Sequence, residues 1–217
     1  MRTFIRRYLD PVDRLGEILF GLIMALGFTG AVRLGEEKAD NRALFIGILG
    51  CNLAWAVVDG VMYVLTALFE RGRKARLMRD VRSAPTDAAA LRHVDDELGD
   101  RLAPLTTREE REQVYGWVLE IVRRGQPEQP RIRREDVLGG VAVALVIVLA
   151  TLPVVVPYVV MSNPNRAVRV SNLIALTLLF LLGAWWGQIV GARPFRIGAG
   201  VTLVGIVLVL ITIVLGG

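Results

Sequence analysis

The chain has 217 residues, 53% of them hydrophobic, and its mean hydropathy is +0.49. Soluble domains disperse their apolar residues, whereas here they are bunched and most charges lie between the bunches, which indicates a polytopic membrane protein. A pI near 10.0 would suggest a nucleic-acid partner in a soluble protein. In a membrane protein it is typical of loops that face anionic lipid, and no basic and aromatic module for nucleic acid is visible.

Five apolar runs are each long enough to cross about 30 Å of hydrocarbon. They cover residues 15–32, 43–69, 137–160, 173–190 and 197–215. We therefore predict an all-α membrane protein with five transmembrane helices. Residues 1–69 would hold an N-terminal segment and helices one and two, residues 70–135 a cytoplasmic helical insert, and residues 136–217 helices three to five.

The first run has an alternative interpretation as a cleaved signal peptide. Three arginines precede it, and residues 29–31 fit a small-x-small cleavage site. However, acidic residues also precede its core and the run is long for a signal peptide, so a retained helix is favoured.

The positive charges predict the orientation. The segments before run one, between runs two and three, and between runs four and five contain 21 of the 26 Lys and Arg residues, and the alternate segments contain 5. Because Lys and Arg accumulate on the cytoplasmic side, we expect the N-terminus inside and the C-terminus outside, most naturally in a bacterial inner membrane.

The sequence of the insert predicts several short helices. Its first stretch, 70–83, is basic and compatible with a continuation of the second span. A second stretch begins after Thr86 and Asp87 and ends near Pro104, and Thr107 and Glu110 have the spacing of a capping box that begins a third.

The third stretch carries apolar residues at i, i+3, i+4 and i+7, namely Val114, Trp117, Val118 and Ile121. This pattern predicts one apolar face of a helix. We expect it to pack on the second stretch, on another subunit or on the membrane surface.

No enzyme constellation is present in the sequence. The single histidine, His93, has no second histidine or cysteine with which to form a zinc site. The single cysteine, Cys51, cannot form an internal disulfide and is interpreted as a small hydrophobic residue in a helix interface. We expect neither catalysis nor a permanently bound cofactor.

Polar residues inside the first two runs are the strongest functional signal, because a carboxylate in hydrocarbon costs a few kcal/mol and is usually retained for a pathway or site. Asp59 lies in the second run, with Met62 at i+3 and Asn52 at i−7, and Glu17 opens the first run. A carboxylate pair with a thioether suits iron(II) or manganese better than calcium. We therefore predict Glu17, Asp59, Met62 and Asn52 as the metal-binding residues.

A structural role for the same residues is the alternative. Glu17 would then favour the positive N-terminal end of its helix, and Asp59 would bond Asn172 or Gln188. Met62 would be an ordinary packing residue.

Two further patterns concern packing. Gly183, Gly187 and Gly191 have the small-x-x-x-small spacing that permits close helix approach in the fourth run. Pro153 and Pro157 predict a kink in the third.

Three segments resemble the vacuolar iron transporter family: DRLGEILFGLIMALGFTGA its first span, LPVVVPY its third, and GARPFRIGAGVTLVGIVLVLITIVLG its fifth. The resemblance implies that Glu17 is the first-span acid and Met62 a second-span methionine ligand. It also implies a homodimer with the pathway between subunits. The insert departs from the glutamate-rich insert of eukaryotic members, because it opens with several arginines.

The leading hypothesis is a proton-coupled exporter of divalent metal, iron(II) or manganese, whose partners are the lipid bilayer, the metal and a second copy of the chain. The alternative is a non-transporting membrane anchor or scaffold whose basic insert binds anionic lipid or a protein partner. An enzyme of lipid metabolism would need an active site that the sequence does not contain.

Overall fold

The computed structural model describes residues 11–32, 40–126 and 129–214, and these fold into α-helices with no β-strand among them. The basic residues Arg2, Arg6, Arg7, Arg33 and Lys38, counted above for orientation, lie outside the described residues. The helices are α1 (Pro11–Val32), α2 (Asn41–Ser83), α3 (Asp87–Leu102), α4 (Arg108–Arg124), α5 (Arg134–Val160), α6 (Pro164–Ile189) and α7 (Pro194–Val214). The all-α prediction is confirmed.

Three helices are long and apolar enough to cross a membrane: α2, α5 and α6. Two shorter apolar stretches lie in α1 and α7, at Leu15–Phe28 and Pro194–Leu208. Each predicted apolar run therefore falls in a helix, except that Val190 lies beyond the end of α6 and residue 215 lies outside the described residues. Three of the five helices satisfy the length and composition of a span.

Helix α2 is 43 residues long and continues without a break from the second apolar run into the basic stretch. This confirms that the first part of the insert continues the second span. The chain divides into two compact units, one formed by residues 1–63 and 134–217 and the other by residues 64–133. Helix α2 contributes to both.

The first unit is a bundle whose core is formed by α1, α2, α5 and α6. Its members are aliphatic side chains that recur on one face of each helix, as expected for helices that pack side by side. They include Leu22 and Leu26 of α1, Leu44 and Ile48 of α2, Val154 and Val155 of α5, and Ala175 and Leu179 of α6.

Glycines allow α6 and α7 to approach closely. A Cβ atom added to Gly183 would lie 2.9 Å from the Cα of Gly198, and one added to Gly187 would lie 2.9 Å from the Cα of Pro194. Real Cβ atoms do not approach backbone so closely, so only glycine fits at these positions. The predicted close approach is confirmed for Gly183 and Gly187.

Gly191 has a different role from the one predicted. It lies beyond the end of α6 with a positive φ of 71°, a conformation that favours glycine. The Ala192 amide donates to the Gly187 carbonyl at 2.8 Å, and the Gly191 amide donates to the Gln188 carbonyl at 3.3 Å. This pair of bonds forms a Schellman motif, so Gly191 ends the helix instead of packing in it.

Helix α5 continues through Pro153 and Pro157. Proline removes a backbone donor and crowds the carbonyls one turn before it, and neighbouring helices commonly satisfy these groups. Here the buried Ser171 hydroxyl of α6 donates to the Val154 carbonyl at 2.8 Å. This bond ties α6 to α5 at the level of the prolines.

The second unit contains α3, α4 and the basic part of α2. Thr86 caps α3, and Thr107 and Glu110 form the predicted capping box at the start of α4. Hydrogen bonds from the Thr107 backbone and hydroxyl lower the pKa of Glu110. The core of the unit is formed by Val81, Ala90, Val94, Tyr115, Leu119 and Val122.

The predicted apolar face of α4 is only partly the buried one. Tyr115, Leu119 and Val122 are buried, whereas Trp117 is 65% exposed and Ile121 is 68% exposed. The helix has apolar residues on two adjacent faces, and the one that includes the Tyr115 ring packs on α3. Of the three partners expected for the face with Trp117 and Ile121, the second stretch is therefore not the one, and another subunit and the membrane surface stay open.

Replacing Gly183 with alanine should lower the stability of the protein. The new methyl group would meet the Cα of Gly198 and the side chain of Val201, both at 2.9 Å, and overpacking of this kind costs about 1–3 kcal/mol. Gly200→Ala is the matched control, since a Cβ atom there has no atom within 4 Å. Thermal unfolding in detergent checks this, and equal midpoints for the two variants would contradict the packing argument.

Candidate metal pathway

Helices α1 and α2 lie side by side and antiparallel, which brings the predicted residues to comparable depths. The ring of Phe28 occupies the space beside Gly47, and Gly21 faces Asn52. Ile18 packs on the cluster that contains Ala56. Residue numbers that fall along α1 therefore pair with residue numbers that rise along α2, as in antiparallel helices.

Glu17 lies on the face of α1 that meets α2. It precedes Gly21 by four residues and therefore shares its side of the helix. The antiparallel pairing puts it about level with Ala56, within about one helical turn of Asp59 in depth. Glu17 is half-buried, and its Oε2 atom has almost no solvent-accessible surface.

Asn52 is completely buried, and its two polar atoms are in different situations. Its Nδ2 donates to the Ile48 carbonyl of its own helix at 3.0 Å. Its Oδ1 is also buried and accepts no hydrogen bond from the described residues. A buried acceptor without a partner costs about 1–3 kcal/mol, so this oxygen requires an explanation.

Three helices meet around that oxygen. A Cβ atom added to Gly21 would lie 3.3 Å from Asn52 Oδ1 and 3.6 Å from the Ile147 side chain of α5. One turn along α5, the buried Thr151 hydroxyl donates to the Ile147 carbonyl at 2.9 Å. Because Gly21 has no side chain, the amide oxygen has no more than a methyl-sized gap beside it, next to the Ile147 carbonyl.

Asp59 is half-buried on the same stripe of α2 as Asn52. Its neighbour Gly60 packs against α5, where an added Cβ atom would lie 2.8 Å from the Gly140 carbonyl. The ring of Tyr63 lies against Gly139. Glycine contacts therefore hold this part of α2 close to α5.

Asn52 and Asp59 cannot bind one ion together. Seven helical residues separate them, which is about 10 Å along the axis. Metal–oxygen bonds are about 2.0–2.6 Å long, so the two side chains can serve only successive positions.

Met62 lies at the surface of α2 and is 52% exposed, among the exposed residues Val61 and Leu65. Although it follows Asp59 by one turn, it does not share the buried stripe that contains Asn52. Asn52 therefore lies where α1, α2 and α5 meet, whereas Glu17 and Asp59 are half-buried and Met62 is exposed.

No group of three or more His, Cys, Asp and Glu side chains in the described part of the chain is arranged to hold a metal ion. Cys51 is exposed, which corrects its interpretation as a residue of a helix interface. Gly21 and Thr151 were not among the predicted site residues. The glycine content of the first run was a weak signal for the former, and no pattern in the sequence pairs position 21 with position 52.

Comparison with known families decides the class of protein. A model of the VIT family, the vacuolar iron transporters, matches residues 69–217, more than two thirds of the chain. The chain belongs to the VIT family. Its members transport metal ions and are not enzymes, so this VIT protein is an integral membrane metal-ion transporter. A search of curated protein sequences found no match.

The matched range begins within α2, after Met62. Glu17, Asn52, Asp59 and Met62 all lie outside it. Their role in this VIT protein therefore depends on the chemistry and geometry described above, and it stays a prediction.

Asn52→Leu should leave the thermal unfolding midpoint of the protein unchanged or raise it. The substitution removes an acceptor that has no partner among the described residues and keeps the branched shape and the number of heavy atoms of asparagine. Ser171→Ala is the matched control, because the buried Ser171 hydroxyl bonds another helix, and it should lower the midpoint. A lower midpoint for Asn52→Leu would mean that the amide is structural.

Proposed function

We propose that this protein exports divalent metal, iron(II) or manganese, from the cytoplasm in exchange for protons. The observation that carries the proposal is the buried Asn52 oxygen, on the same stripe of α2 as the half-buried Asp59. A buried amide oxygen that accepts no hydrogen bond from the described residues could bind a passing cation or its water. Family membership supports metal-ion transport in general.

The ligand types support a first-row cation. Carboxylate and amide oxygens bind iron(II), manganese, magnesium and calcium alike, whereas a thioether favours softer metals. Met62 is the only one of the four proposed ligands that supplies sulfur, so it is the residue that would favour iron(II) or manganese over calcium.

Proton coupling follows from charge balance. A divalent cation inside hydrocarbon is costly, and so is an uncompensated carboxylate. Metal binds to deprotonated ligands, so exchange of the metal for protons keeps the charge within the bilayer low in both states. Export of metal and import of protons are then one cycle.

We propose that all five apolar helices cross the membrane. Helix α1 has 22 residues and α7 has 21, which correspond to about 33 Å and about 32 Å of rise and match the hydrocarbon thickness. The charge asymmetry supports a cytoplasmic N-terminus, a cytoplasmic insert and an outside C-terminus in a bacterial inner membrane.

We also propose that the protein works as a homodimer. One chain leaves Met62 exposed while Glu17 and Asp59 are only half-buried, so the ligands of a single chain do not enclose an ion. A second copy packed on this face of α2 would cover Met62 and supply further ligands. No permanently bound cofactor is part of the proposal.

Asp59→Asn should reduce metal flux into proteoliposomes at least tenfold. The substitution keeps the size of the side chain but removes the charge that binds the cation and the group that releases a proton. Uptake of iron(II), manganese and calcium is measured with and without a pH gradient, together with the internal pH. Asp96→Asn is the control, because Asp96 is an exposed carboxylate on α3.

Two results would contradict the proposal. If Asp59→Asn carries the same flux as Asp96→Asn, Asp59 does not line the pathway. If the wild type carries no ion although it is folded, the scaffold hypothesis for the basic insert is the better one.

Met62→Cys, made in a Cys51→Ser background, should form an intermolecular disulfide on mild oxidation in liposomes. Two cysteines can pair only when their Cα atoms approach within about 7 Å. Leu203→Cys is the control, since Leu203 on α7 is 60% exposed and lies on another helix. Equal cross-linking at the two positions would argue against a dimer interface at Met62.

A further inference from the structure

The second unit contains a groove of about 540 Å³ between α3 and α4. From α3 it is lined by Ala88, Leu91, Arg92 and Asp95, which recur at helical spacing and so form one continuous wall. The two apolar residues lie at one end of this wall. The charged residues Arg92 and Asp95 lie at the other.

The wall supplied by α4 has the same spacing and more charge. It consists of Arg108, Arg111, Glu112 and Tyr115. Three arginines and two carboxylates therefore face the groove, and an apolar strip adjoins them. This composition is suited to an anionic group attached to a small apolar one.

Both carboxylates that line the groove already form a hydrogen bond or an ion pair within the second unit. Tyr115 donates its hydroxyl to Asp95 Oδ1 at 2.6 Å, and Arg108 Nε pairs with Glu112 Oε1 at 3.3 Å. Burial and the neighbouring Asp95 raise the pKa of Tyr115, so its phenol keeps the proton that makes this bond.

Two guanidinium groups are left without a carboxylate. Neither Arg92 nor Arg111 forms an ion pair with any acid in the described residues, and Arg111 lies against the Tyr115 hydroxyl. Planar guanidinium groups bind phosphate oxygens with two parallel hydrogen bonds, so two of them facing one groove match a phosphate group.

We propose that the groove between α3 and α4 binds a phosphate group through Arg92 and Arg111, with the organic part of the ligand on Ala88 and Leu91. The phosphate belongs either to a soluble phosphorylated compound or to the headgroup of an anionic lipid. The site is independent of the metal pathway, because it lies wholly within the second unit and uses none of the residues proposed to bind metal.

The test compares a groove variant with a charge-matched variant of the full-length protein. Arg92→Gln with Arg111→Gln removes the two unpaired guanidinium groups. Arg76→Gln with Arg79→Gln removes two exposed arginines of α2 that do not line the groove. Circular dichroism and gel filtration establish that both variants are folded.

Binding is measured in two arms. In the first, calorimetry follows inorganic phosphate added to protein in uncharged detergent, with chloride used to match ionic strength. In the second, protein in neutral phosphatidylcholine nanodiscs is compared with protein in nanodiscs that contain phosphatidic acid, and the thermal midpoint is the readout.

The groove variant should bind at least about tenfold more weakly than the wild type in one arm, because charge-assisted hydrogen bonds to phosphate are lost, while the α2 variant is unchanged. Selective loss in the first arm identifies a soluble phosphate ligand, and selective loss in the second identifies a lipid headgroup. Equal loss in both variants, or no saturable binding in either arm, would overturn the proposal.

Discussion

A polar atom enclosed by hydrocarbon must find a partner or lower the stability of the fold, and this constraint organises the membrane unit. Most such atoms are satisfied within the chain. Ser171 bonds the Val154 carbonyl near the prolines of α5, and Thr151 bonds Ile147 one turn back on its own helix. Asn52 Oδ1 is buried with no such bond among the described residues. Asn41 Oδ1 and Tyr158 OH are also buried without such a bond among the described residues, and Asn52 Oδ1 differs from them in its position where α1, α2 and α5 meet.

Close backbone approach makes such an enclosed junction possible. Between lipid-embedded helices there is little hydrophobic driving force, so association depends on tight van der Waals packing, for which small residues are needed. Gly60 meets the Gly140 backbone between α2 and α5, and Gly183 meets Gly198 between α6 and α7. Gly21 faces both the Asn52 amide oxygen and the Ile147 carbonyl, at distances that a Cβ atom would make tight. Glycine thus allows close approach of the helices at all three places.

The helices could be predicted well from the sequence, because their signals are local. The capping box at Thr107 and Glu110 begins α4 where expected, and the second apolar run continues into the basic stretch as one helix. The contacts between helices were harder to predict from the sequence. Helix α4 offers two adjacent apolar faces, and periodicity alone does not say which one packs on α3. Gly191 fits a packing motif by spacing, yet its positive φ ends the helix. Likewise, Met62 follows Asp59 by one turn, but the spacing alone does not say that Asp59 is half-buried while Met62 is exposed.

The separation of the ligands has a consequence for how the proposed pathway would work. A closed cage of carboxylates binds a divalent cation tightly and releases it slowly, whereas conduction requires sites weak enough to leave and close enough to hand the ion on. Glu17 and Asp59 lie within about one turn in depth, and Asn52 lies about 10 Å from Asp59 along α2. Ordered in this way, the charged ligands would take up the cation, and the neutral amide would receive it where a third charge would be hardest to bury. In the proposed pathway, a neutral asparagine suits the buried position, because a charge would be costliest there, and acids suit the half-buried positions.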